Sequence, residues 1–344
     1  MRLTTPVGIA AASTWLPESR SRAETAVAEG RLLQRHATDL GHGDVPSTEH
    51  ESPPDMAVRA ARSAIETACV DAAELDMVCH AWMYFQGHDL WSPAHYIAHQ
   101  LGARSAFPVG VQQICNGGAA GIELVVPRLA MARGEGTGLG LVTTADRFAP
   151  PGFDRWSSDY GVAYGDGATA VLLRSPADAA DVLTLRSVAS VAAPELEAMH
   201  RGADPFALAA RTQRTQVNMR ATKRAYLLAH GDGAFVDANQ RSIQKVVAAA
   251  LDDAGLKEDD PRLRLAVLPR FGSKILREVW VPILSACVRA TPMDWGQATG
   301  HLGAGDSLAN LTDLVRFEAL APGEIALVFS AGAGFTWSCL VVQA

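Results

Sequence analysis

Cysteine is scarce in this chain. The five that occur, Cys69, Cys79, Cys115, Cys287 and Cys339, are odd in number, scattered, and never form a C-x-x-C pair. That argues against a disulfide framework and against a structural zinc site. Charge is sparse as well. Charged residues make up 19% of the 344, the net charge is −7, and no basic block stands out, which argues against a nucleic-acid partner. Long apolar runs are missing: no uninterrupted stretch reaches the ~18 residues of a membrane span. The opening MRLTTPVGIAAASTWLPES holds one arginine and a short apolar run, without the longer apolar core and cleavage site of a secretory signal. The expected compartment is the cytoplasm, and no metal or tightly bound cofactor is expected.

What remains is a chain with 48% hydrophobic residues, enough for a large core. Its length suits two domains or two halves of a duplicated fold. Residues 6 to 12 read as a first strand. Residues 19 to 52 read as a polar, irregular surface excursion. ESPPDMAVRAARSAIETACV then gives a helix, with Pro54 placed for its first turn and Met56, Ala60, Ala64 and Ala68 on one stripe. SPAHYIAHQLGA is a second helix ending at a glycine. AFPVGVQQI is a strand, residues 116 to 136 a close-packed helix of small residues, and TGLGLVTTAD a strand. YGDGATAVLLRS is a turn leading into another strand. Alternating strands and helices point to a layered α/β fold. The second half repeats the theme. QRSIQKVVAAALDDAGLKEDD parallels PDMAVRAARSAIETACVDAAELD, and EIALVFSAGAGFTWSCLVVQA parallels the last two strands of the first half. The expected division is an N-terminal half over 1–173 and a C-terminal half over 174–344. Residues 190 to 230 break the pattern and carry Arg201, Arg211, Arg214, Arg220, Lys223 and Arg224. They read either as a solvated helix face or as a landing surface for phosphate or an acidic carrier protein.

Three segments carry chemistry. In QQICNGGAAG, Cys115 stands where a strand hands over to a helix, whose positive end and free N–H groups favour thiolate. The small residues after it let backbone and substrate approach closely. Four cysteines read as buried fillers; Cys115 is the candidate nucleophile. In ATGHLGAGDSLANL, His301 and Asp306 flank four small or flexible residues that can form a tight loop. Asp306 would orient the ring and support imidazolium, and His301 would act as base. An imidazole nitrogen of His301 is expected within about 4 Å of the Cys115 sulfur. In FSAGAGFTWS, backbone N–H groups of a glycine-alanine turn can form half of an oxyanion hole.

Taken together and in order, these segments resemble the ketoacyl-ACP synthase III enzymes of the thiolase superfamily, nearly end to end. ESPPDMAVRAARSAIETA and DMVCHAW resemble that family's first helix and strand, QQICNGGAAGIEL its nucleophile segment, and YGDGATAVLL its Gly-Asp-Gly-Ala turn. GHLGAGDSLANL falls at its Gly-Asn-Thr-Ser loop, and SAGAGFTWS resembles its C-terminal Gly-Gly-Gly-x-Thr-Trp turn. The resemblance implies a five-layered αβαβα thiolase fold with internal duplication, and a homodimer paired through the first-half sheets. It implies an acyl-Cys115 intermediate and an oxyanion hole from the N–H groups of Cys115 and Ala333. The acyl donor would be the phosphopantetheine of acyl carrier protein or coenzyme A.

The departures shape the expected reaction. Where the family carries its catalytic His, VLPRFGSKIL places Arg270. The family's catalytic Asn falls near Ala304. Decarboxylative condensation needs neutral donors to hold an enolate oxygen, and an Asp carboxylate cannot donate. Cys–His–Asp suits acyl transfer to a hydroxyl instead. The sequence is similar to the branch of tailoring acyltransferases that includes the cervimycin malonyltransferase, which implies transfer to a natural-product hydroxyl, often on a deoxysugar, in polyketide or antibiotic biosynthesis. Arg270 is expected either to hold a carboxylate of a dicarboxylic acyl group or to lie at the surface, on the pantetheine phosphate or on nothing. Two other readings stay open: a starter-unit synthase that still makes a carbon–carbon bond, and an inactive thiolase-fold partner that only binds.

Overall fold

The computed structural model describes residues 1–131 and 136–344. The first half contributes β1 (Arg2–Trp15), β2 (Met77–Ala81), β3 (Phe107–Val111), β4 (Gly138–Asp146) and β5 (Gly167–Ser175). The second contributes β6 (Leu183–Ala192), β7 (Leu263–Val267), β8 (Thr291–Met293), β9 (Ile325–Gly332) and β10 (Thr336–Gln343). Strand order is β1-β5-β4-β2-β3 in one half and β6-β10-β9-β7-β8 in the other. Each strand therefore has a counterpart in the same place. In both halves the fifth strand pairs antiparallel with the first and the fourth, and the fourth, second and third run parallel. An antiparallel β1–β6 pairing joins the halves into one ten-stranded sheet.

Helices repeat the correspondence. They are α1 (Pro53–Thr67), α2 (Pro93–Leu101), α3 (Gly117–Ala130), α4 (Met219–His230), α5 (Gly233–Ala254), α6 (Val281–Cys287) and α7 (Asp306–Arg316). α1 starts where Ser52 Oγ accepts from the Asp55 N–H and donates to its carboxylate, with Pro53 and Pro54 in the first turn. Its buried stripe packs with Leu139, Leu141 and Leu172 on one outer face. α5 packs Ile243, Val246 and Ala250 against Leu327, Phe329 and Trp337 on the other. α3 and α7 lie between, burying Ile122, Val125, Leu308 and Leu311 among Val142, Val171, Val328 and Leu340. In β9, Leu327 and Phe329 face the α5 core while Ala326 and Val328 face α3 and α7. That period of two lets one strand serve two cores. The five αβαβα layers follow from these three cores, as expected.

The structure refines several expectations. β5 runs to Ser175 and β6 begins at Leu183, so a division after residue 173 falls inside β5. The first strand is longer than residues 6–12. The helix expected over 116–136 spans Gly117–Ala130, and residues 132–135 of that expectation lie outside the described residues. Residues 19–52 are not irregular. They form helices Ala23–Ala28 and Gln34–Leu40 and a ribbon of Arg20–Arg22 with Asp44–Pro46. Ala26, Leu32, Leu40 and Val45 bury themselves against Trp156 and Ala163. Residues 198–230 form a cap. α4 is tied to the 152–160 segment by the Met219 N–H on the Ser158 carbonyl and by Arg220, whose guanidinium donates to the carbonyls of Asp159 and Trp156. No helix among the described residues is long and apolar enough to cross a membrane.

Candidate active site

Cys115 sits in a single 3-10 turn, Ile114–Asn116, directly before α3. Ile114 has φ +49°, a left-handed conformation that costs a β-branched residue free energy. The surrounding packing holds that turn and presents the thiol. Close packing is possible because α3 opens with glycines. A Cβ at Gly117 would stand 3.0 Å from the Cβ atoms of Ala81 and Ala304, and one at Gly118 would stand 2.8 Å from the Ala304 carbonyl.

His301 and Asp306 approach from the other half. The residues between them form a 3-10 turn, Gly303–Gly305, and Asp306 is the first residue of α7. The His301 Nδ1–H donates to Asp306 Oδ2 at 2.6 Å. The same oxygen accepts the Arg270 N–H at 2.9 Å, and Oδ1 accepts the Leu302 N–H at 2.8 Å. Three donors fix the carboxylate, and the carboxylate fixes the ring. Backbone bonds pin His301 to the segment before β5: its N–H to the Ala163 carbonyl at 2.8 Å, its carbonyl to the Gly165 N–H at 2.9 Å. Tyr164 and Phe271 meet the imidazole edge-on at 5.3 and 5.6 Å. Burial pushes the imidazole towards neutrality. The Asp306 carboxylate and the Cys115 thiol outweigh burial and hold its pKa well above the ordinary histidine value.

Both residues open on one cavity of ≈ 230 Å³. Its walls are largely aromatic and aliphatic, with Phe235, Phe271, Ile275, Trp280, Phe335 and Trp337 among them, and Gly332 and Ala333 at the Cys115 end. His301 Nε2 is buried at the cavity without a hydrogen-bond partner, and Cys115 lies near enough to raise the imidazole pKa. The Cys115 sulfur lies 3.5 Å from the Met83 sulfur. Resting geometries of catalytic pairs are often looser than reacting ones. A Cβ at Gly332 would lie 2.7 Å from the Asn116 nitrogen and 3.3 Å from that of Cys115. The β9–β10 turn thus presses on the Cys115 backbone, where the expected oxyanion hole would form. Gly332→Ala should slow acylation of Cys115 about 10²-fold and cost about 1–3 kcal/mol through overpacking. Adduct-formation rates and thermal melts would show both effects; an unchanged rate would place the reacting carbonyl elsewhere.

A family model for the C-terminal part of 3-oxoacyl-[acyl-carrier-protein] synthase III matches residues 251–344. A beta-ketoacyl-[acyl-carrier-protein] synthase III of Roseiflexus castenholzii is 25% identical over 299 residues, covering 86% of this chain and 84% of its own. The solved structure of ChlB3, described as an acyltransferase, is 31% identical, covers 98% of each chain, and superposes with a TM-score of 0.87. The chain belongs to the ketoacyl-ACP synthase III-like family of the thiolase superfamily. A 3-oxoacyl-[acyl-carrier-protein] synthase III of Aquifex aeolicus, 20% identical with a TM-score of 0.73 over 98% of this chain and 100% of that one, shares the fold.

Within this ketoacyl-ACP synthase III-like frame, Cys115, His301 and Ala333 line one cavity and Asp306 lies directly behind His301. Arg270 does not join them, which corrects both readings of it. Its side chain is buried rather than at the surface and does not line the cavity. Nε donates to Asn310 Oδ1 at 3.1 Å, Nη1 to Thr299 Oγ1 at 2.8 Å, and Nη2 to Asp313. Those bonds occupy the fork that a substrate carboxylate would need. Only its backbone N–H touches the site, by holding Asp306.

Two contributors carry no motif; the first was not read from the sequence, and the second was read there only as one of a basic run. Asp146, at the end of β4, accepts N–H bonds from Met83, Tyr84 and Ala304, joining the loop that carries Met83 to the turn before Asp306. Burial pushes its carboxyl up to about 7 against the pull of those donors. The second is Lys223 on the cap, paired with Asp159.

Proposed function

We propose that this protein is an acyltransferase that carries an acyl group on Cys115 and passes it to a hydroxyl of a natural-product acceptor, without decarboxylative condensation. The observation that carries this reading is the His301–Asp306 pair, whose free imidazole nitrogen sits at the cavity shared with Cys115. The two positions that would hold neutral donors for an enolate are taken by a buried arginine and by Ala304.

The chemistry runs through one proton. His301 Nε2 takes the Cys115 proton, and the thiolate attacks the thioester of an acyl carrier protein or coenzyme A. The oxyanion draws on the N–H groups of Cys115 and Ala333. The pantetheine sulfur leaves with the imidazolium proton. Acylation also removes the negative charge that helped keep the imidazole protonated, leaving Asp306 as its remaining support. Neutral His301 then accepts the proton of the acceptor hydroxyl as that oxygen attacks the acyl-cysteine, and returns it to the departing sulfur. Asp306 stays ionised throughout.

The family resemblance also supports a homodimer paired along β3, the edge strand of the first half. Phe107 of that strand is exposed in the single chain. A monomeric mass in solution at micromolar protein would remove that part of the reading.

Intact-protein mass spectrometry with a panel of acyl thioesters tests the core claim. Acylation of Cys115 without CO₂ release, followed by loss of the acyl mass to an added alcohol, is the expected result. CO₂ release coupled to a carbon–carbon product would establish condensation instead, and no adduct with any thioester would indicate a partner that only binds.

A further inference from the structure

The basic run of residues 201–224 has one member inside the cavity. Lys223 is the sole lysine or arginine lining it among the described residues. Its ammonium meets Asp159 Oδ1, and no other hydrogen bond to it is present among the described residues. An ammonium has three N–H donors, so two remain. Asp159 is by contrast well supplied: besides Lys223 it accepts the Tyr160 N–H at 2.6 Å and the Tyr164 O–H at 3.2 Å. His200 lines the same wall, and its Nδ1 is buried without a partner. Burial and the Lys223 charge push that imidazole down to about 4, so it stays neutral. Arg220 also stands against Asp159, donating to its backbone carbonyl. Of these two cations Lys223 alone meets the Asp159 carboxylate, and its remaining hydrogen-bond donors stand at the cap end of an otherwise largely apolar cavity. A half-buried ammonium with open donors is better satisfied when a ligand supplies an acceptor.

We infer that Lys223, backed by His200, is the specificity residue of this cavity and takes a carboxylate on the substrate. The inference rests on the acyl-Cys115 reading and deepens it. In forming the contact, Lys223 turns one or both free N–H donors to the carboxylate, while Asp159 keeps Tyr160 and Tyr164.

The carboxylate could belong to the acyl group or to the acceptor, and two arms separate these sources. In the first, Cys115 loading is timed by intact mass with succinyl-CoA and with butyryl-CoA, alike in chain length but differing in the terminal group. In the second, butyryl-enzyme is exposed to 3-hydroxybutyrate or to 2-butanol, and loss of the acyl mass is timed. A preference of about tenfold or more for the carboxylated compound in one arm is expected, the scale of one charge-assisted hydrogen bond. Lys223→Met should bring that ratio close to one. Lys223→Arg and Asp159→Asn should keep it, which separates recognition from collapse of the cap. Ratios near one in both arms with wild-type protein, or a preference that survives Lys223→Met, would overturn the inference while leaving acyl-Cys115 standing. Failure of both thioesters to load would sink the acyl-cysteine reading, and this inference with it.

Discussion

Asp306→Asn should leave a folded protein that releases its acyl group about 10³–10⁴-fold more slowly than wild type. The hydrogen bonds around Asp306 explain why a nearly isosteric change costs so much. All three neighbours are N–H donors: His301 Nδ1, Arg270 N and Leu302 N. An amide offers one acceptor oxygen and one NH₂. If the NH₂ faces His301, the ring must accept at Nδ1 and carry its proton on Nε2, the nitrogen needed as base. If the NH₂ faces Leu302 instead, the tautomer survives but an N–H donor is left against another donor. Either way the negative charge behind the ring is gone. Release should also change its pH dependence. His301 acts only when neutral, so wild-type release rises with pH through the imidazole pKa, which in the acyl-enzyme Asp306 alone supports against burial. In Asp306→Asn the inflection should move to lower pH while the plateau falls. Single-turnover release from pre-acylated enzyme across pH gives both quantities. A plateau within a few-fold of wild type would mean that some other group supports the base.

Cys115→Ala should abolish covalent loading outright, whereas Cys79→Ala, Cys287→Ala and Cys339→Ala should keep it. The environments differ in kind. Burial pushes the Cys79 thiol up to about 12, raises Cys287, and raises buried Cys339 further, so none offers useful thiolate at neutral pH. Cys115 is half-buried, opens on the cavity, and faces the raised imidazole. Intact mass after incubation with an acyl thioester reads the outcome directly. A mass shift that persists in Cys115→Ala would overturn the assignment of the nucleophile.

The sequence showed the parts whose signal is local. The proline at the start of α1, the Gly102 stop of α2 and the small residues of α3 each announce themselves within a few positions. So does the His301–Asp306 loop, because the four residues between them fix its geometry. What it hid depends on distant partners. Residues 19–52 read as irregular because Ala26, Leu32, Leu40 and Val45 follow no helix or strand period; their order comes from packing on Trp156. Arg270 could be matched to a position in the family, but a position does not say which way a side chain turns. Its guanidinium turned to Thr299, Asn310 and Asp313, none of which marks itself as a partner in advance. Lys223 and Asp159 lie 64 residues apart, and Asp146 sits in a strand end that carries no motif.

The repeat places Cys115 just before α3 and the His301–Asp306 pair at the start of α7, equivalent points of the two halves. Only the glycine-lined contact between those helix starts decides how far apart they stand. Bulk added there acts as a spacer in the reaction coordinate, altering the gap between sulfur and imidazole without touching either. A Cβ at Gly118 would press on the Ala304 carbonyl, the Ser307 hydroxyl and the Leu308 side chain together. The α3–α7 seam is therefore a ruler for the chemistry, and drift in the packing of one half on the other would register first as lost turnover in a protein that still melts normally.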